Sequence, residues 1–259
     1  MRKVATAASV VAGLVIWAST AFAQPADGGY RVFRPDGAGP HPAIVFLSGC
    51  NGFAPAVAPK AYERGAEVFR GQGFIVLFVD YVGRRGVQNC SSGSITQEDA
   101  AKDLVAAVTW LRSQSSVDKA RISAVGWSYG GGAVLVALAD YAEEQLGISR
   151  AVVFYPYCDA VRPWTVATPV LMLLAGDDVV APSEPCQAAV RKSAIPGAVK
   201  TVIYHGALHT FDLAELPAET LGPAGKMVGY NAFAMFDAWA EAQRFLRPSR
   251  EEGAAPPAP

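Results

Sequence analysis

Residues 121–138 read RISAVGWSYGGGAVLVAL, so an apolar run meets a cluster of glycines and then a second apolar run. This pattern predicts a buried strand, a turn too tight for most side chains, and an apolar helix. At the turn, Gly126, Ser128 and Gly130 form a G-x-S-x-G pattern. A serine there has strained backbone and an exposed hydroxyl at a helix N-terminus, where N–H groups stabilise negative charge. The pattern predicts Ser128 as a nucleophile; the plainer alternative is a glycine-rich connection without chemistry.

Patterns typical of strands and of helices alternate on both sides of this stretch. Strand patterns occupy residues 30–33, 42–47, 74–79, 151–155, 169–174 and 200–204. Helical patterns lie at 58–71, 96–112, 133–144, 183–193 and 227–246, the last with aromatic residues at helical spacing (Tyr230, Phe233, Phe236, Trp239). Such alternation predicts an α/β fold with a doubly wound, mostly parallel sheet flanked by helices. Ligands of these sheets bind beyond the carboxyl ends of the strands, so functional residues are expected there.

The composition suits one sizeable α/β domain. Of the 259 residues, 51% are apolar and 17% are charged, which is enough apolar material for a single core of this size. The formal net charge is −1, and no basic run occurs in the body of the chain. We therefore expect no nucleic acid partner. No pattern in the sequence predicts an oligomeric state.

The N-terminus has the pattern of a signal peptide. Arg2 and Lys3 precede an apolar run at 4–18, and residues 21–23 read AFA, a small-x-small cleavage pattern. An uncleaved membrane anchor is the alternative, but the apolar run is shorter than the roughly 20 residues of a spanning helix. We therefore predict a signal peptide over residues 1–23.

Cleavage would leave a domain over residues 24–247 and a proline- and alanine-rich tail over 248–259 that we expect to be disordered. The loss of two positive charges would take the formal net charge from −1 to −3. The mature protein is predicted to be periplasmic or secreted, without a membrane span.

A serine nucleophile needs a base, and the base needs an acid that orients it. The chain has three histidines. His41 opens a strand before the nucleophile, whereas His205 and His209 both follow the last strand. Because His209 lies in the loop and has freedom to reach back, we prefer it and keep His205 as the alternative. For the acid, Asp177 and Asp178 both follow a predicted strand, and the residues alone do not choose between them.

Several segments together resemble the dienelactone hydrolase family of the α/β-hydrolase superfamily. The matching segments are 41–52 (HPAIVFLSGCNG), 126–130, 154–156 (FYP), 178–182 (DVVAP) with Cys186, and 204–212 (YHGALHTFD). The resemblance implies an α/β-hydrolase fold, no cofactor or metal, and hydrolysis of a small-molecule ester or lactone. It selects Asp178, four residues before a proline, as the acid. It also selects His209, which precedes a threonine and a Phe-Asp pair, as the base.

The oxyanion of the reaction is expected to bind two backbone N–H groups. One belongs to Tyr129, the residue after the nucleophile. By resemblance, the second belongs to Cys50. Two departures from the family pattern concern this region: Ser48 stands where members often have histidine, and Ser128 stands where the best-known members have cysteine. The serine favours ordinary esterase-like chemistry.

Four cysteines in an exported chain are expected to form disulfides, and four cysteines allow three pairings. In the fold that the resemblance implies, the strands that lead to Cys50 and Cys90 are neighbours, as are those that lead to Cys158 and Cys186. The fold therefore predicts the pairs Cys50–Cys90 and Cys158–Cys186. Four buried free thiols are the alternative.

Candidate substrate contacts lie near the predicted mouth of the site. Arg84 and Arg85 could hold a substrate carboxylate, as dienelactone hydrolases do with arginines, and the alternative is a solvated loop or a structural contact. Trp127 and Tyr157 could line the pocket, although aromatic residues beside such a turn are as often packing residues.

The sequence favours an exported serine hydrolase that cleaves a carboxylic ester or lactone through an acyl-enzyme on Ser128. A prolyl oligopeptidase-like peptidase shares the fold and the catalytic residues, but the chain has no propeller or other gating domain. A catalytically silent α/β-hydrolase that serves as a binding module is the alternative outside enzymes. None of the three expected catalytic residues is missing, which disfavours it.

Overall fold

The computed structural model describes residues 30–53, 57–92, 95–165, 167–222 and 225–247. The predicted signal peptide at 1–23 and the predicted tail at 248–259 lie outside these ranges. Within the ranges, no helix combines the length and the apolar character that crossing a membrane requires.

In the described part of the chain, seven strands form one sheet in the order β1-β3-β2-β4-β5-β6-β7. The strands are β1 (Tyr30–Phe33), β2 (His41–Leu47), β3 (Ile75–Val79), β4 (Val117–Trp127), β5 (Arg150–Phe154), β6 (Val170–Ala175) and β7 (Val199–Tyr204). The edge strand β1 is antiparallel to β3, and the other pairs are parallel. This order confirms the predicted doubly wound, mostly parallel sheet.

Helices cover both faces of the sheet. They are α1 (Val57–Gly71), α2 (Gln97–Ser113), α3 (Tyr129–Asp140), α4 (Glu143–Leu146), α5 (Ser183–Lys192) and α6 (Ala232–Leu246). One core packs α2, α3 and α5 against the sheet, and the other packs α1 and α6 against the opposite face. Successive residues of a strand enter opposite cores: Val45 of β2 enters the first, and its neighbour Phe46 enters the second. Burial on both faces explains why these strands read as continuous apolar runs.

A capping box forms at the start of α2. The hydroxyl of Thr96 accepts the amide of Asp99 at 3.1 Å, and the carboxylate of Asp99 accepts the amide of Thr96 at 3.2 Å. This capping box satisfies N–H groups that the first helical turn leaves without acceptors. The box fixes the start of a helix whose first residue is Gln97.

Two helix predictions are wrong in extent. The helix predicted over 133–144 ends at Asp140, because Tyr141 has extended backbone (φ −118°, ψ 142°), and α4 is a separate short helix. The helix predicted over 227–246 begins only at Ala232, where the side chain of Asn231 accepts the amide of Ala234 at 3.0 Å.

The residues before α6 instead form a small hairpin. Strand β9 (Met227–Val228) pairs with β8 (Thr220–Leu221). The aromatic spacing that suggested the longer helix does not mark a core face, since Phe233 is 76% exposed and Phe236 is 70% exposed. Only Trp239 of this set packs into the aromatic core around Trp127.

Candidate active site

The turn between β4 and α3 holds Ser128 in strained backbone. Ser128 has φ 50° and ψ −116°, a conformation that residues with side chains rarely adopt. The residues on either side of the turn must be glycines, because neighbouring backbone atoms lie too close to leave room for a Cβ atom. A Cβ atom on Gly126 would lie 2.6 Å from the carbonyl oxygen of Gly130, and one on Gly130 would lie 2.2 Å from that of Ser48. Any larger residue at either glycine would therefore displace the backbone beside the serine.

Three side chains that are far apart in the sequence meet at the carboxyl ends of the strands. Ser128 follows β4, Asp178 lies just beyond β6, and His209 lies beyond β7. The Nε2 atom of His209 lies 2.9 Å from Oγ of Ser128, and its Nδ1 atom lies 2.6 Å from Oδ2 of Asp178. The histidine and the aspartate are both buried. A hydroxyl, an imidazole and a carboxylate are thus joined by two direct hydrogen bonds.

A tight turn fixes the carboxylate of Asp178. Its Oδ1 atom accepts the amides of Val180 and Ala181, both at 2.8 Å, so Oδ2 is left for the imidazole of His209. The alternative acid, Asp177, is exposed, and its amide donates to the backbone. Between the two aspartates, the structure brings Asp178 to the site.

The structure also distinguishes among the three histidines by their exposure and contacts. His205 is exposed directly after β7, whereas His209 is 5% exposed and contacts the serine. His41 opens β2, and its Nε2 atom lies 3.4 Å from the carbonyl oxygen of Gly37.

A buried aspartate that the sequence reasoning missed supports the imidazole from behind. The carboxylate of Asp212 accepts the hydroxyl of Tyr155 at 2.5 Å and the indole N–H of Trp127 at 2.9 Å. The ring of Tyr155 in turn packs against that of His209, with centroids 4.6 Å apart. Asp212 is 2% exposed, and this burial raises its pKa. The Phe-Asp pair after His209 was the available sequence signal, but it was used only to choose the histidine.

The loop from Ser48 to Cys50 lies directly beside the serine. A Cβ atom on Gly49 would be 3.5 Å from the Cβ atom of Ser128. The hydroxyl of Tyr81 donates to the carbonyl oxygens of Ser48 and Gly49, both at 2.9 Å, which turns these carbonyls into the core. In a trans peptide the C=O and N–H groups point in opposite directions, so the amide of Cys50 points away from Tyr81. The amide of Tyr129 opens α3, where the first N–H groups have no intrahelical acceptor.

Both predicted disulfides are present. Cys50 is bonded to Cys90, and the carbonyl of Cys50 also accepts the amide of Cys90 at 2.9 Å. Cys158 is bonded to Cys186, which joins the segment after β5 to α5. The first disulfide therefore anchors the loop that lies beside Ser128.

A cavity of about 890 Å³ opens over the serine and the histidine. One part of its lining is polar and uncharged and consists of Asn51, Gln88, Asn89, Ser91 and Tyr157. Another part is aliphatic and consists of Val180, Leu213, Leu216, Leu221 and Val228. Across the described ranges, no group of three or more His, Cys, Asp or Glu side chains is placed to hold a metal ion.

Of the four candidate substrate contacts, Arg84, Arg85 and Trp127 contact other parts of the protein, and only Tyr157 lines the cavity. Arg85 pairs with Asp103 of α2 and also donates to the carbonyl of Tyr81 at 2.8 Å, so its guanidinium is engaged away from the cavity. Trp127 is buried in the aromatic core and donates to Asp212. Neither residue is among the described residues that line the cavity, whereas Tyr157 is. The neighbouring guanidinium of Arg84 lies over the ring of Tyr30.

The side chain of Gln97 is a further residue that the sequence reasoning missed. Its amide nitrogen donates to the carbonyls of Tyr129 and Tyr157, at 3.3 and 2.7 Å. It therefore ties the start of α3 to the segment after β5, next to the cavity. A Cβ atom on Gly132 would lie 1.9 Å from this nitrogen, so the third glycine of the turn leaves room for it.

Comparison with solved structures supports the α/β-hydrolase fold. Thermogutta terrifontis esterase 2 phosphorylated by paraoxon has a TM-score of 0.62 and 19% identity, over 86% of this chain and 88% of that one. The same esterase with bound propionate has a TM-score of 0.61 and 20% identity, over 88% and 91%. A Klebsiella pneumoniae protein described as a dienelactone hydrolase has a TM-score of 0.64 and 16% identity, over 84% and 91%. At these identities the likeness concerns the fold.

The family model of the dienelactone hydrolase family matches residues 29–249, which is most of the chain. The match covers the turn of Ser128 and the loops that carry Asp178 and His209. The chain therefore belongs to the dienelactone hydrolase family, and it is a hydrolase that acts on ester bonds.

Proposed function

We propose that the protein is an exported serine hydrolase that cleaves a carboxylic ester or lactone through an acyl-enzyme on Ser128. The observation that carries this proposal is the position of His209, which is within hydrogen-bonding distance of both Ser128 and Asp178. Neither neighbour alone would suffice: a base activates the serine hydroxyl, and an acid holds the base in the required orientation and tautomer.

In the acylation half, Oγ of Ser128 attacks the ester carbonyl carbon while Nε2 of His209 takes the hydroxyl proton. The carbonyl oxygen becomes an oxyanion, and the amides of Cys50 and Tyr129 are the donors proposed to bind it. When the intermediate collapses, the bond to the leaving oxygen breaks and the imidazolium returns the proton to that oxygen. The products are an alcohol, which remains attached in the case of a lactone, and the acyl-enzyme.

In the deacylation half, water takes the place of the alcohol. His209 removes a proton from the water, whose oxygen attacks the acyl carbon, and the proton is then delivered to Oγ of Ser128 as the acid departs. In both halves the imidazole becomes positively charged for a moment. The carboxylate of Asp178, held by two backbone amides, stabilises that charge.

The comparison with Thermogutta terrifontis esterase 2 supports a nucleophile of this kind. That esterase is phosphorylated by paraoxon. Because this chain shares its fold and places Ser128 in a cavity within hydrogen-bonding distance of an imidazole, we expect the same class of reagent to modify Ser128.

Export is supported by the two disulfides and by the signal-peptide pattern at 1–23. Disulfides of this structural kind are typical of oxidising compartments. Expression of the full chain in a Gram-negative host, followed by fractionation and N-terminal sequencing, tests export separately from catalysis. We expect a periplasmic or secreted protein that begins at Gln24, and a full-length protein in the cytoplasm would contradict it.

A chromogenic ester assay tests the catalytic role. We expect wild-type protein to hydrolyse p-nitrophenyl butyrate and Ser128→Ala to lose more than about 10⁴-fold in kcat. Ser113→Ala is the matched control and should retain wild-type activity, because the hydroxyl of Ser113, at the end of α2, contacts only the carbonyl of Trp110 and the side-chain amide of Gln114. Undiminished activity in Ser128→Ala would contradict the role of the serine. Cleavage of peptides but not of esters would favour the peptidase, and no cleavage of either would favour the binding module.

A further inference from the structure

We propose that the cavity selects uncharged esters with an apolar chain and discriminates against esters whose acyl chain ends in a carboxylate. This inference rests on the proposed function, because it concerns the substrate class of the same site. It departs from the expectation that Arg84 and Arg85 bind a substrate carboxylate, and the lining of the cavity is what supports it.

The lining contains no formal charge that could compensate a buried anion. Of the described residues that line the cavity, none is Asp, Glu, Lys or Arg. A carboxylate that leaves water for such a site loses hydration without gaining an ion pair. The polar residues of the lining supply uncharged amide and hydroxyl groups, which suit the oxygens of a neutral ester better than a full negative charge.

The guanidinium groups that were candidates for such a pair are engaged elsewhere. Arg85 is held by Asp103 and by the carbonyl of Tyr81. Recruiting it to a substrate would leave the half-buried Asp103 without its ion-pair partner. The guanidinium of Arg84 lies 5.5 Å from the centre of the ring of Tyr30, on the edge strand β1, and Arg84 is not among the described residues that line the cavity.

Three carboxyl groups lie close to the lining residues beside the reacting serine and histidine. Asp178 and Asp212 are buried beneath the histidine, and Asp159 accepts the hydroxyl of Tyr157, a lining residue, at 2.5 Å. Like charges repel most strongly where water is excluded. An anionic acyl chain would therefore be destabilised by its surroundings, whereas a neutral chain would not.

An aliphatic wall offers a site for the apolar part of the substrate. It consists of Leu213, Leu216, Leu221 and Val228. Leu221 is 71% exposed although it lines the cavity, so apolar surface is left at the mouth for a ligand to cover. Each methylene group that the wall removes from water is expected to raise kcat/KM by up to about fourfold.

Backbone bonds fix this wall relative to the catalytic imidazole. The hairpin of β8 and β9 carries Leu221 and Val228, and Val228 forms a bridge with His209. The amide of Gly229 donates to the carbonyl of His209 at 3.0 Å. A chain that packs on the hairpin is thereby held at a defined distance from the reacting atoms, which is the condition for specificity in kcat/KM.

Two glutaryl esters of matched shape test the inference. The neutral substrate is the mixed methyl p-nitrophenyl diester of glutaric acid, and the ionised substrate is mono-p-nitrophenyl glutarate. The rate measured with the Ser128→Ala protein is subtracted from each rate as background. We expect kcat/KM to be at least about tenfold higher for the neutral ester. Equal or faster hydrolysis of the ionised ester would overturn the inference and leave the proposed function standing. Hydrolysis of neither, nor of p-nitrophenyl butyrate, would remove the proposed function and the inference with it.

A variant at the exposed mouth provides the second readout. Leu221→Lys places a cation on the aliphatic wall at a site where solvent tolerates it, and Leu221→Gln is the matched uncharged control. The ratio of kcat/KM for the neutral ester to kcat/KM for the ionised ester should decrease by at least about threefold in Leu221→Lys. It should not decrease in Leu221→Gln. Added salt should reverse the decrease in Leu221→Lys. Equal ratios in the two variants would overturn the assignment of Leu221 to the substrate site.

Discussion

The Nδ1 atom of His209 lies 2.6 Å from Oδ2 of Asp178, although the two residues are 31 positions apart in the chain. Neighbouring parallel strands, β6 and β7, bring them together at one edge of the sheet. Both side chains are almost fully buried, so water does not compete for this hydrogen bond. The orientation of the imidazole towards Ser128 therefore depends on the aspartate.

Replacing Asp178 tests this dependence. Asp178→Asn keeps the shape of the side chain but can present an N–H group to Nδ1, which favours the wrong imidazole tautomer. We expect kcat to fall by about 10³–10⁴-fold with a small change in KM, as measured on p-nitrophenyl butyrate. Asp177→Asn, on the exposed neighbour, is the control. A loss of similar size in that variant would instead indicate general damage to the turn.

The disulfide between Cys50 and Cys90 is expected to matter for rate as well as for stability. Replacing both cysteines by alanine keeps the amide of Cys50 but frees the loop that presents it. We expect kcat to fall by at least about tenfold, within the 10²–10³-fold that removal of an oxyanion donor costs. The pair spans 40 residues, so the free energy of unfolding should also fall, by about 3–4 kcal/mol.

The second disulfide provides the control for this experiment. The pair of Cys158 and Cys186 spans 28 residues, and its removal should destabilise the protein by a similar amount. It carries neither proposed oxyanion donor, so kcat of the folded protein should change far less. Equal losses of kcat in the two double variants would contradict a special role for the first disulfide.

Gly130, two residues after Ser128, should tolerate no side chain. Gly130→Ala would bring a Cβ atom to 2.2 Å from the carbonyl oxygen of Ser48 and 2.6 Å from that of Leu47. We expect a loss of at least about 1–3 kcal/mol in the free energy of unfolding and a displaced Ser128 with little activity. Gly71→Ala, where no atom lies within 4 Å of the new methyl group, should be neutral in urea denaturation and in the ester assay.

Because of the capping box of α2, the free energy of unfolding should decrease as the pH falls through the acidic range. A hydrogen bond from the Thr96 amide is the main reason that the pKa of Asp99 lies below its ordinary value. Because the pKa is lower in the folded state, the stabilisation is complete above the ordinary value and is lost as the pH falls through the lowered pKa. Asp99→Asn should therefore cost about 0.5–1 kcal/mol at pH 7 and less near pH 3.

Urea denaturation at both pH values measures this effect. Glu98→Gln is the control, because Glu98 shares the first turn of α2 with Asp99 but does not belong to the capping box. An equal cost in the two variants, falling with pH in both, would show that the interaction of the carboxylates with the helix dipole, rather than the capping bond, is responsible.

The sequence predicted the fold and the nucleophile because both depend on local patterns. Buried strands read as apolar runs, and the geometry of the turn at Ser128 restricts Gly126 and Gly130. The choice of Asp178 over Asp177 came from the resemblance, because both residues follow the same strand and the residues alone did not separate them. His209 was already preferred over His205 for its place in the loop, and the resemblance selected the same residue.

The errors in the prediction arise from contacts between distant segments. Arg85 was left between a substrate contact and a structural contact because its partner, Asp103, is on a helix whose packing the sequence pattern does not reveal. Asp212 was not recognised as part of the site, since its donors, Trp127 and Tyr155, come from two other strands. The helix at 227–246 was drawn too long because the aromatic spacing of its exposed face imitated a core face.

Reaction with paraoxon, followed by intact-mass measurement and peptide mapping, tests whether Ser128 is the nucleophile. We expect one diethyl phosphoryl group per chain, located on Ser128, with esterase activity lost in proportion to labelling. Ser128→Ala should acquire no label, and Asp178→Asn should acquire it more slowly. A label on another residue, or full activity in protein whose Ser128 is fully phosphorylated, would contradict the nucleophilic role of Ser128.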